Sequence, residues 1–348
     1  METLKIEVEK VLVIQTAYLG DAVLTLPLIQ KLKEINPHRV IDVLAISSTE
    51  ELFLSSPLVN DVIIIDKRSK HKWLLALYKF ITDLRRNNYN KIYCPHRSFR
   101  SALITLGLRV NESYGFDIST LKFAFKHLTE YKDDHHEVRR NLALIGEDPA
   151  IQDWKILPEV YVNDQQKRKV NELLSANELI PSFISIAPGS IWNTKRYPKE
   201  NFVEIIQLLV DRDENAVLIG GVDDKSLCEE INSHVNGRVI NFAGQLTVPE
   251  TIYLLGKSKL LITNDSAPTH LGMCADIPVL TLYCSTVPNF GFYPYNEKSS
   301  VLSFGDLECK PCGIHGHKKC PIKTFDCGYK LLPEDVVMEA DRLMKSNE

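Results

Sequence analysis

Residues 11–35 read VLVIQTAYLGDAVLTLPLIQKLKEI, and the fold can be inferred from them. The first four residues are all aliphatic, and such a short apolar run predicts a strand that is buried on both faces. After a loop at 15–20, apolar residues recur at helical spacing as far as Ile35, so a helix is expected to follow and to end at Asn36-Pro37. Pro27 is expected to kink this helix or to loosen its first turns. A strand joined directly to an amphipathic helix is the repeating unit of a parallel sheet.

The alternation of strands and helices continues along the chain. Further strands are predicted at 40–46, 62–66, 91–94, 183–187, 216–219, 239–242, 257–263 and 279–283, and further helices at 73–87, from Pro198 onward, and at 333–345. A polar stretch at 164–169 separates the two series. We therefore expect an α/β protein of two doubly wound domains, at 1–165 and 166–330, followed by a last helix at 331–348. A cleft is expected at the carboxyl ends of both sheets.

The composition is that of a globular protein, with 348 residues of which 44% are hydrophobic and 25% charged. A formal net charge of −4 argues against a general nucleic-acid binder, which is usually basic. The first ten residues are charged and lack the apolar core of a signal peptide, and a membrane-spanning run of apolar residues is missing from the sequence. Eight cysteines in a chain of this length do not make a secreted disulfide scaffold. We expect a cytoplasmic protein.

The loop that follows the first predicted strand carries a glycine and an acid. Gly20 allows a tight turn and the close approach of a ligand. Asp21 lies where the next helix is expected to begin, so it is either a helix N-cap or a general base that faces a cleft.

Two later loops have the residue types that bind phosphate. The first, 188–198, contains Lys195 and Arg196 just before a helix, which suits a diphosphate, although a solvated loop explains it equally well. The second, 264–270, lies between an apolar strand and a helix. Its backbone N–H groups and hydroxyls could hold phosphate oxygens; alternatively Asp265 or Ser266 simply caps the helix.

In their order and spacing these loops resemble those of the ADP-heptose:lipopolysaccharide heptosyltransferases, glycosyltransferase family 9. The motifs are Gly20-Asp21 followed by Leu26-Pro27, then TKRYP at 194–198 and TNDSAPTH at 263–270. The resemblance extends from Val11 to about Val337. It implies the GT-B fold, two Rossmann-like domains that face a central cleft.

The resemblance also implies an activity, the inverting transfer of a heptose from ADP-heptose to a lipopolysaccharide-core acceptor. Asp21 matches the catalytic base, and Lys195 with the turn at 265–270 would stabilise the leaving diphosphate. Leu246 matches a residue that packs on adenine, and Asp223 one that hydrogen-bonds the ribose. The donor-binding residues implied are Ser190, Thr194, Lys195, Asp223, Leu246, Asp265, Ser266, Ala267, Pro268, Thr269 and His270. Ala267 is a departure, because many members have glycine at that position.

Acceptor contacts are expected from the first domain, as in the family. The residues concerned are Gly20, Arg68, Arg97 and Arg100. The acceptor implied is a lipid-linked oligosaccharide, so peripheral contact with the inner face of the cytoplasmic membrane is expected, although no amphipathic anchor is evident in the sequence. The implied chemistry requires no metal or other cofactor.

Four cysteines near the C-terminus have the spacing of a small metal site: Cys309, Cys312, Cys320 and Cys327. They could hold a structural zinc ion with four sulfurs, or be reduced thiols or a disulfide. Their position after the last predicted strand indicates support of the fold rather than catalysis.

Other functions compatible with the sequence are a GT-B enzyme that uses another nucleotide sugar or a polysaccharide acceptor, a sugar-nucleotide epimerase, a non-catalytic nucleotide-sugar-binding protein, and an assembly partner of membrane enzymes. The presence of both Asp21 and Lys195 argues against the non-catalytic alternative.

Overall fold

The computed structural model describes residues 8–67, 69–146, 153–305 and 307–347. The chain divides into two compact units, one that ends at Tyr161 and one that begins at Val162. Each unit contains a six-stranded sheet in which all neighbouring strands are parallel.

The first unit is a doubly wound α/β unit. Its strands are β1 (Lys10–Ile14), β2 (Val40–Ala45), β3 (Asp61–Ile64), β4 (Lys91–Cys94), β5 (Glu112–Phe116) and β6 (His127–Thr129). Its helices are α1 (Leu19–Val23), α2 (Leu26–Ile35), α3 (Glu50–Leu54), α4 (Leu74–Leu84), α5 (Phe99–Leu108) and α6 (Glu137–Ala143). The strand order β3-β2-β1-β4-β5-β6 is that of a Rossmann fold.

The single helix predicted after β1 is two helices. α1 ends at Val23 and α2 begins at Leu26, so Pro27 lies in the first turn of α2. A proline is tolerated there because the first N–H groups of a helix have no partner within the helix. The expected single helix is therefore interrupted at Leu24 and Thr25, just before Pro27, and Pro27 helps to start the second helix.

The second unit repeats this architecture. Its strands are β7 (Phe183–Ala187), β8 (Ala216–Leu218), β9 (Ile240–Asn241), β10 (Ser258–Asn264), β11 (Val279–Tyr283) and β12 (Ser300–Ser303). Its helices are α7 (Asp164–Ala176), α8 (Lys199–Val210), α9 (Lys225–His234), α10 (Val248–Leu255), α11 (Ala267–Cys274), α12 (Asp326–Tyr329) and α13 (Pro333–Ser346). The order β12-β11-β10-β7-β8-β9 is that of the first unit when the strands are counted from β7.

The core of the second unit includes the C-terminal helix. Val336, Val337 and Ala340 of α13 are fully buried in one cluster with Phe202 and Ile205 of α8. Helices thus cover the sheet faces and leave the carboxyl ends of the parallel strands to carry the loops that can bind ligands. Within the described residues, every helix is too short or too polar to cross a lipid bilayer.

Candidate functional site

The two loops of the second unit with phosphate-binding residue types, 188–198 and 264–270, meet at the end of β10. Asn264 is fully buried, and its side chain joins them. Its Oδ1 accepts a hydrogen bond from the backbone N–H of Tyr197 at 2.9 Å, and its Nδ2 donates to the Pro188 carbonyl at 2.8 Å. The loop at 188–198 is therefore held against the beginning of α11.

A lysine and an aspartate form an ion pair between these loops. Lys195 Nζ lies 2.6 Å from Asp265 Oδ2, and the two side chains are only 14% and 8% exposed. The hydroxyl of Thr286 donates to the same carboxylate oxygen at 2.6 Å. The arrangement fixes an ammonium group beside the start of α11.

The N-terminus of α11 is suited to an anion. Ser266 occupies the N-cap position but accepts no side-chain capping hydrogen bond, and Pro268 is in the first turn. The Ser266 hydroxyl instead donates to the carbonyls of Gly189 at 3.3 Å and Asn264 at 3.4 Å. The positive end of the helix dipole is thus not neutralised by a capping side chain, and Lys195 lies next to it.

The structure places other predicted donor residues differently. Thr269 and His270 lie inside α11 and are almost fully buried. The Thr269 hydroxyl donates to the Asn264 carbonyl at 3.2 Å and lies 3.1 Å from the hydroxyl of Thr281, so it points into the unit. Leu246 and Ala267 are partly exposed.

Asp223 is exposed, whereas its neighbour Asp224 is packed under the loops. A Cβ atom on Gly189 would lie 2.0 Å from Asp224 Oδ1, and one on Gly220 would lie 2.7 Å from Asp224 Cβ. The Gly221 N–H donates to the Asp224 carboxylate at 3.0 Å. Burial raises the pKa of Asp224, while the Gly221 hydrogen bond and the charge of Arg196 oppose this rise. Asp224 is not among the residues expected from the sequence, although two adjacent acids after a Gly-Gly pair are a visible signal.

In the first unit, Asp21 lies in the first turn of α1, and the N-cap position is occupied by Tyr18. The N-cap interpretation of Asp21 is therefore wrong. Gly20 is also helical, since its carbonyl accepts from the Leu24 N–H at 3.1 Å, so it does not form the expected tight turn. The side chain of Asp21 is partly exposed at the carboxyl edge of the sheet.

A cluster of polar side chains lies at the same edge, where β1, β3 and β4 end. Lys67 Nζ donates to the Thr16 carbonyl at 2.6 Å, and Arg100 donates to the Lys67 carbonyl at 3.0 Å. The Thr16 hydroxyl and His96 Nδ1 are 2.8 Å apart, and the Ser101 hydroxyl lies 3.0 Å from the same nitrogen. We call Thr16, Lys67, His96, Arg100 and Ser101 the edge cluster.

Burial controls the charges of the edge cluster. Burial, helped by the charge of Arg100, lowers the pKa of Lys67 to about 8. Burial together with the charges of Lys67 and Arg97 lowers the pKa of His96 to about 3, so its imidazole is neutral at physiological pH. Lys67 and Arg100 are therefore the cationic groups of this cluster, and His96 is neutral.

The remaining predicted acceptor residues are arginines. The Arg97 guanidinium lies 4.2 Å from the centroid of the Tyr131 ring, a cation–π arrangement that orients it. Arg68 lies outside the described residues.

The cysteine-rich segment, residues 309–327, contacts the loop at 188–198 directly. Thr194 N–H donates to the His317 carbonyl at 3.0 Å, and His317 N–H donates to the Thr194 hydroxyl at 2.7 Å. Cys312 N–H donates to the Ser285 carbonyl at 2.8 Å. A Cβ on Gly316, whose φ is +72°, would lie 2.8 Å from Thr194 Oγ1. The segment therefore supports the loop that carries Lys195.

The four cysteines of this segment line a cavity of about 190 Å³ with Thr194, Ser285 and His317. All are free thiols, and burial raises the pKa of Cys327 to about 11. In the described part of the chain, no three or more histidine, cysteine or acidic side chains are placed so that they could hold a metal ion. The geometry matches the reduced-thiol alternative, and zinc stays a prediction without structural support.

Comparisons with known proteins point to one family. The sequence model of glycosyltransferase family 9 (heptosyltransferase) matches residues 77–323. Lipooligosaccharide heptosyltransferase 2 of Haemophilus ducreyi is 26% identical over 309 residues, 84% of this chain and 88% of that protein. Lipopolysaccharide heptosyltransferase 3 of Escherichia coli K12 is 28% identical over 345 residues, 93% of this chain and 98% of that protein.

Solved structures have the same fold. The E. coli ADP-heptose LPS heptosyltransferase II superimposes with a TM-score of 0.77 at 22% identity, over 97% of this chain and 99% of that one. A family 9 glycosyltransferase from Veillonella parvula gives a TM-score of 0.79 at 19% identity, over 97% of both chains.

Proposed function

The chain belongs to glycosyltransferase family 9 (heptosyltransferase), and from this membership we propose that it transfers a heptose from ADP-heptose to a lipopolysaccharide-core acceptor with inversion. Membership makes the protein a glycosyltransferase; the donor, the acceptor and the residue roles are the proposal. The observation that carries it is the Lys195–Asp265 ion pair at the uncapped start of α11.

The donor diphosphate binds between Lys195 and α11. Asp265 holds the ammonium group in place, and the Thr286 hydroxyl fixes the Asp265 carboxylate. Phosphate oxygens take up charge-assisted hydrogen bonds from Lys195 and from the backbone N–H groups of Ser266 and Ala267. The same groups stabilise the negative charge that develops on the leaving ADP.

Further donor contacts are assigned from the resemblance to the family. The exposed Asp223 binds the ribose, and the partly exposed Leu246 packs on adenine. Ser190, Thr194, Pro268, Thr269 and His270 complete the donor site through backbone groups or by shaping the loops. The Asp224 side chain packs against Gly189 and Gly220 and so supports the loop at 188–198.

Asp21 acts as the general base. Its carboxylate lies at the carboxyl edge of the first sheet and is not used as a helix cap. As the acceptor oxygen bonds to the anomeric carbon, the bond from that carbon to the diphosphate breaks, the hydroxyl proton passes to Asp21, and ADP departs. A positioned base contributes about 10²–10⁴-fold to such a reaction. Lys195 and α11 supply the positive charge at the diphosphate, so the mechanism uses no metal ion.

The acceptor binds at the first unit. Lys67 and Arg100 of the edge cluster, with Arg97 and the backbone of Gly20, suit the anionic sugars and phosphates of a lipopolysaccharide core. Such an acceptor is lipid-linked, which places the enzyme in the cytoplasm at the inner face of the cytoplasmic membrane.

Calorimetric titration of ADP, UDP and GDP tests the donor assignment. ADP is expected to bind best, and Lys195→Ala to weaken it about tenfold, which is 1.4 kcal/mol. Lys199→Ala is the matched control, because Lys199 pairs with Glu230 on the surface of the same unit and should leave ADP binding unchanged. Preferred binding of UDP or GDP would indicate another nucleotide sugar, and no nucleotide binding would favour the assembly-partner alternative.

A further inference from the structure

Large apolar side chains are exposed at the beginning of α4. Trp73, Leu74, Leu75 and Tyr78 are 71%, 76%, 84% and 65% exposed. The opposite side of the helix is already used, because Leu77 and Ile81 are buried in the core of the first unit. We call the four exposed residues the outer face of α4.

Basic residues surround the outer face. Residues 67–80, KRSKHKWLLALYKF, contain five lysines and arginines and no carboxylate. Lys70, Lys72 and Lys79 are exposed, and the Lys72 ammonium lies 5.5 Å from the centroid of the Trp73 ring. The acid just before this stretch, Asp66, accepts hydrogen bonds from the N–H groups of Ser69 and Lys70, so it is part of the loop itself.

The outer face lies next to the proposed acceptor site. Because β1 and β3 are members of one parallel sheet, the loops that follow them leave the same edge. Lys67, six residues before Trp73, is tied to the Thr16 carbonyl of the loop that leads to Asp21. If the outer face binds to an external surface, a molecule anchored in that surface lies close to the carboxyl edge of the first sheet, which carries Asp21.

We propose that the outer face of α4 docks on an anionic lipid bilayer, with the acceptor drawn from that bilayer; only this second clause rests on the proposed function. Tryptophan and tyrosine favour the interface between lipid and water, leucines insert below it, and flanking lysines bind anionic headgroups. Lysines are depleted in protein–protein interfaces, so this composition favours a membrane over a protein partner.

No amphipathic anchor is evident in the sequence, and the burial of α4 explains why. α4 is apolar on two sides, so its sequence has the appearance of an ordinary core helix. Only the burial of Leu77, Ile81 and Leu84 against the exposure of Leu74 and Leu75 separates the core side from the outer face.

Co-sedimentation with vesicles tests the docking surface. Wild-type protein should bind vesicles of phosphatidylglycerol and phosphatidylcholine more tightly than vesicles of phosphatidylcholine alone, and high salt should weaken this binding. Leu74→Ser/Leu75→Ser should reduce binding to the anionic vesicles by about tenfold or more. Met338→Ser is the matched control. It also replaces an exposed apolar side chain by serine, since Met338 is 68% exposed, but it lies on α13, away from the outer face. Equal binding by the double variant and the wild type would overturn the proposal, as would failure of the wild type to bind.

A transfer assay separates this proposal from the proposed function. With a delipidated core oligosaccharide in solution, the double variant should match the wild type, whereas with lipid-linked acceptor in anionic vesicles it should be slower. Vesicle binding without any transfer would leave the docking surface standing and refute the proposed function. A dimer that the double variant abolishes in sedimentation velocity would assign the outer face to a second copy and overturn the membrane proposal.

Discussion

At the scale of single residues, Lys67 is a charged side chain that connects two loops of the first unit. Its ammonium group is largely buried and donates to the Thr16 carbonyl, while Arg100 donates to its own carbonyl. Burial and the charge of Arg100 both disfavour the charged form of Lys67. Under the proposed function, an anionic acceptor would relieve both costs, so Lys67 would be a sensitive reporter of acceptor binding.

The lowered pKa of Lys67 predicts how acceptor binding depends on pH. Its pKa of about 8 means that the side chain is charged at neutral pH and loses its proton as the pH rises through 8. The acceptor KM should therefore rise above that pH while the donor KM stays flat. Lys67→Arg should remove the rise, because a guanidinium keeps its charge throughout this range. Steady-state kinetics at several pH values measure both constants, and an equal rise in the arginine variant would contradict the assignment.

The residues of the edge cluster could not be predicted from the sequence as a group. Thr16 forms hydrogen bonds with Lys67, which is 51 residues away in the sequence, and with His96, which is 80 residues away. They meet because the strand order β3-β2-β1-β4 brings the loops after three strands to one edge. By contrast, Lys195 and Asp265 could be singled out, because each lies in a short polar loop between an apolar strand and a helix.

At the scale of elements, the cysteine-rich segment supports the loop at 188–198, which carries Lys195. His317 exchanges two hydrogen bonds with Thr194, the residue before Lys195. Gly316 lies so close to Thr194 and Ser285 that a Cβ would be within 2.8 Å of either hydroxyl. Displacement of this segment should therefore displace Lys195.

Two glycines of this segment make a matched test. Gly316→Ala should raise the donor KM about tenfold or more, since small displacements of positioning groups are costly, and should leave the acceptor KM unchanged. Gly313→Ala is the control: Gly313 has φ +76°, close to the +72° of Gly316, but a Cβ there would meet nothing within 4 Å. Both variants carry the backbone strain of a left-handed alanine, so similar donor KM values in the two would refute a positioning role.

Elements with continuous apolar runs could be predicted closely. The strands at 91–94, 183–187 and 279–283 occur at those residues, because strands in a parallel sheet are buried on both faces. β5 and β6 lack that signal. β5 contains Gly115, where the Phe125 ring occupies the space of a side chain, and β6 is only three residues long and largely exposed.

At the scale of the whole molecule, two units with the same strand order follow one another along the chain. Each unit has its own core, so each has its own series of apolar strand and helix patterns. The alternation of these patterns therefore predicts the duplication. The exposure of the outer face of α4 could not be predicted, since it depends on which side of an apolar helix packs inward.

The most direct test of the account is the rate of heptose transfer from ADP-heptose to a lipopolysaccharide-core acceptor by the Asp21→Asn variant, with ADP affinity determined on the same sample. The variant keeps the shape of the side chain and removes the base, so kcat should fall by about 10²–10⁴-fold while the Kd for ADP is unchanged. A kcat within a few-fold of the wild-type value would contradict the role of Asp21 as the base, and a parallel loss of ADP binding would make Asp21 a structural residue.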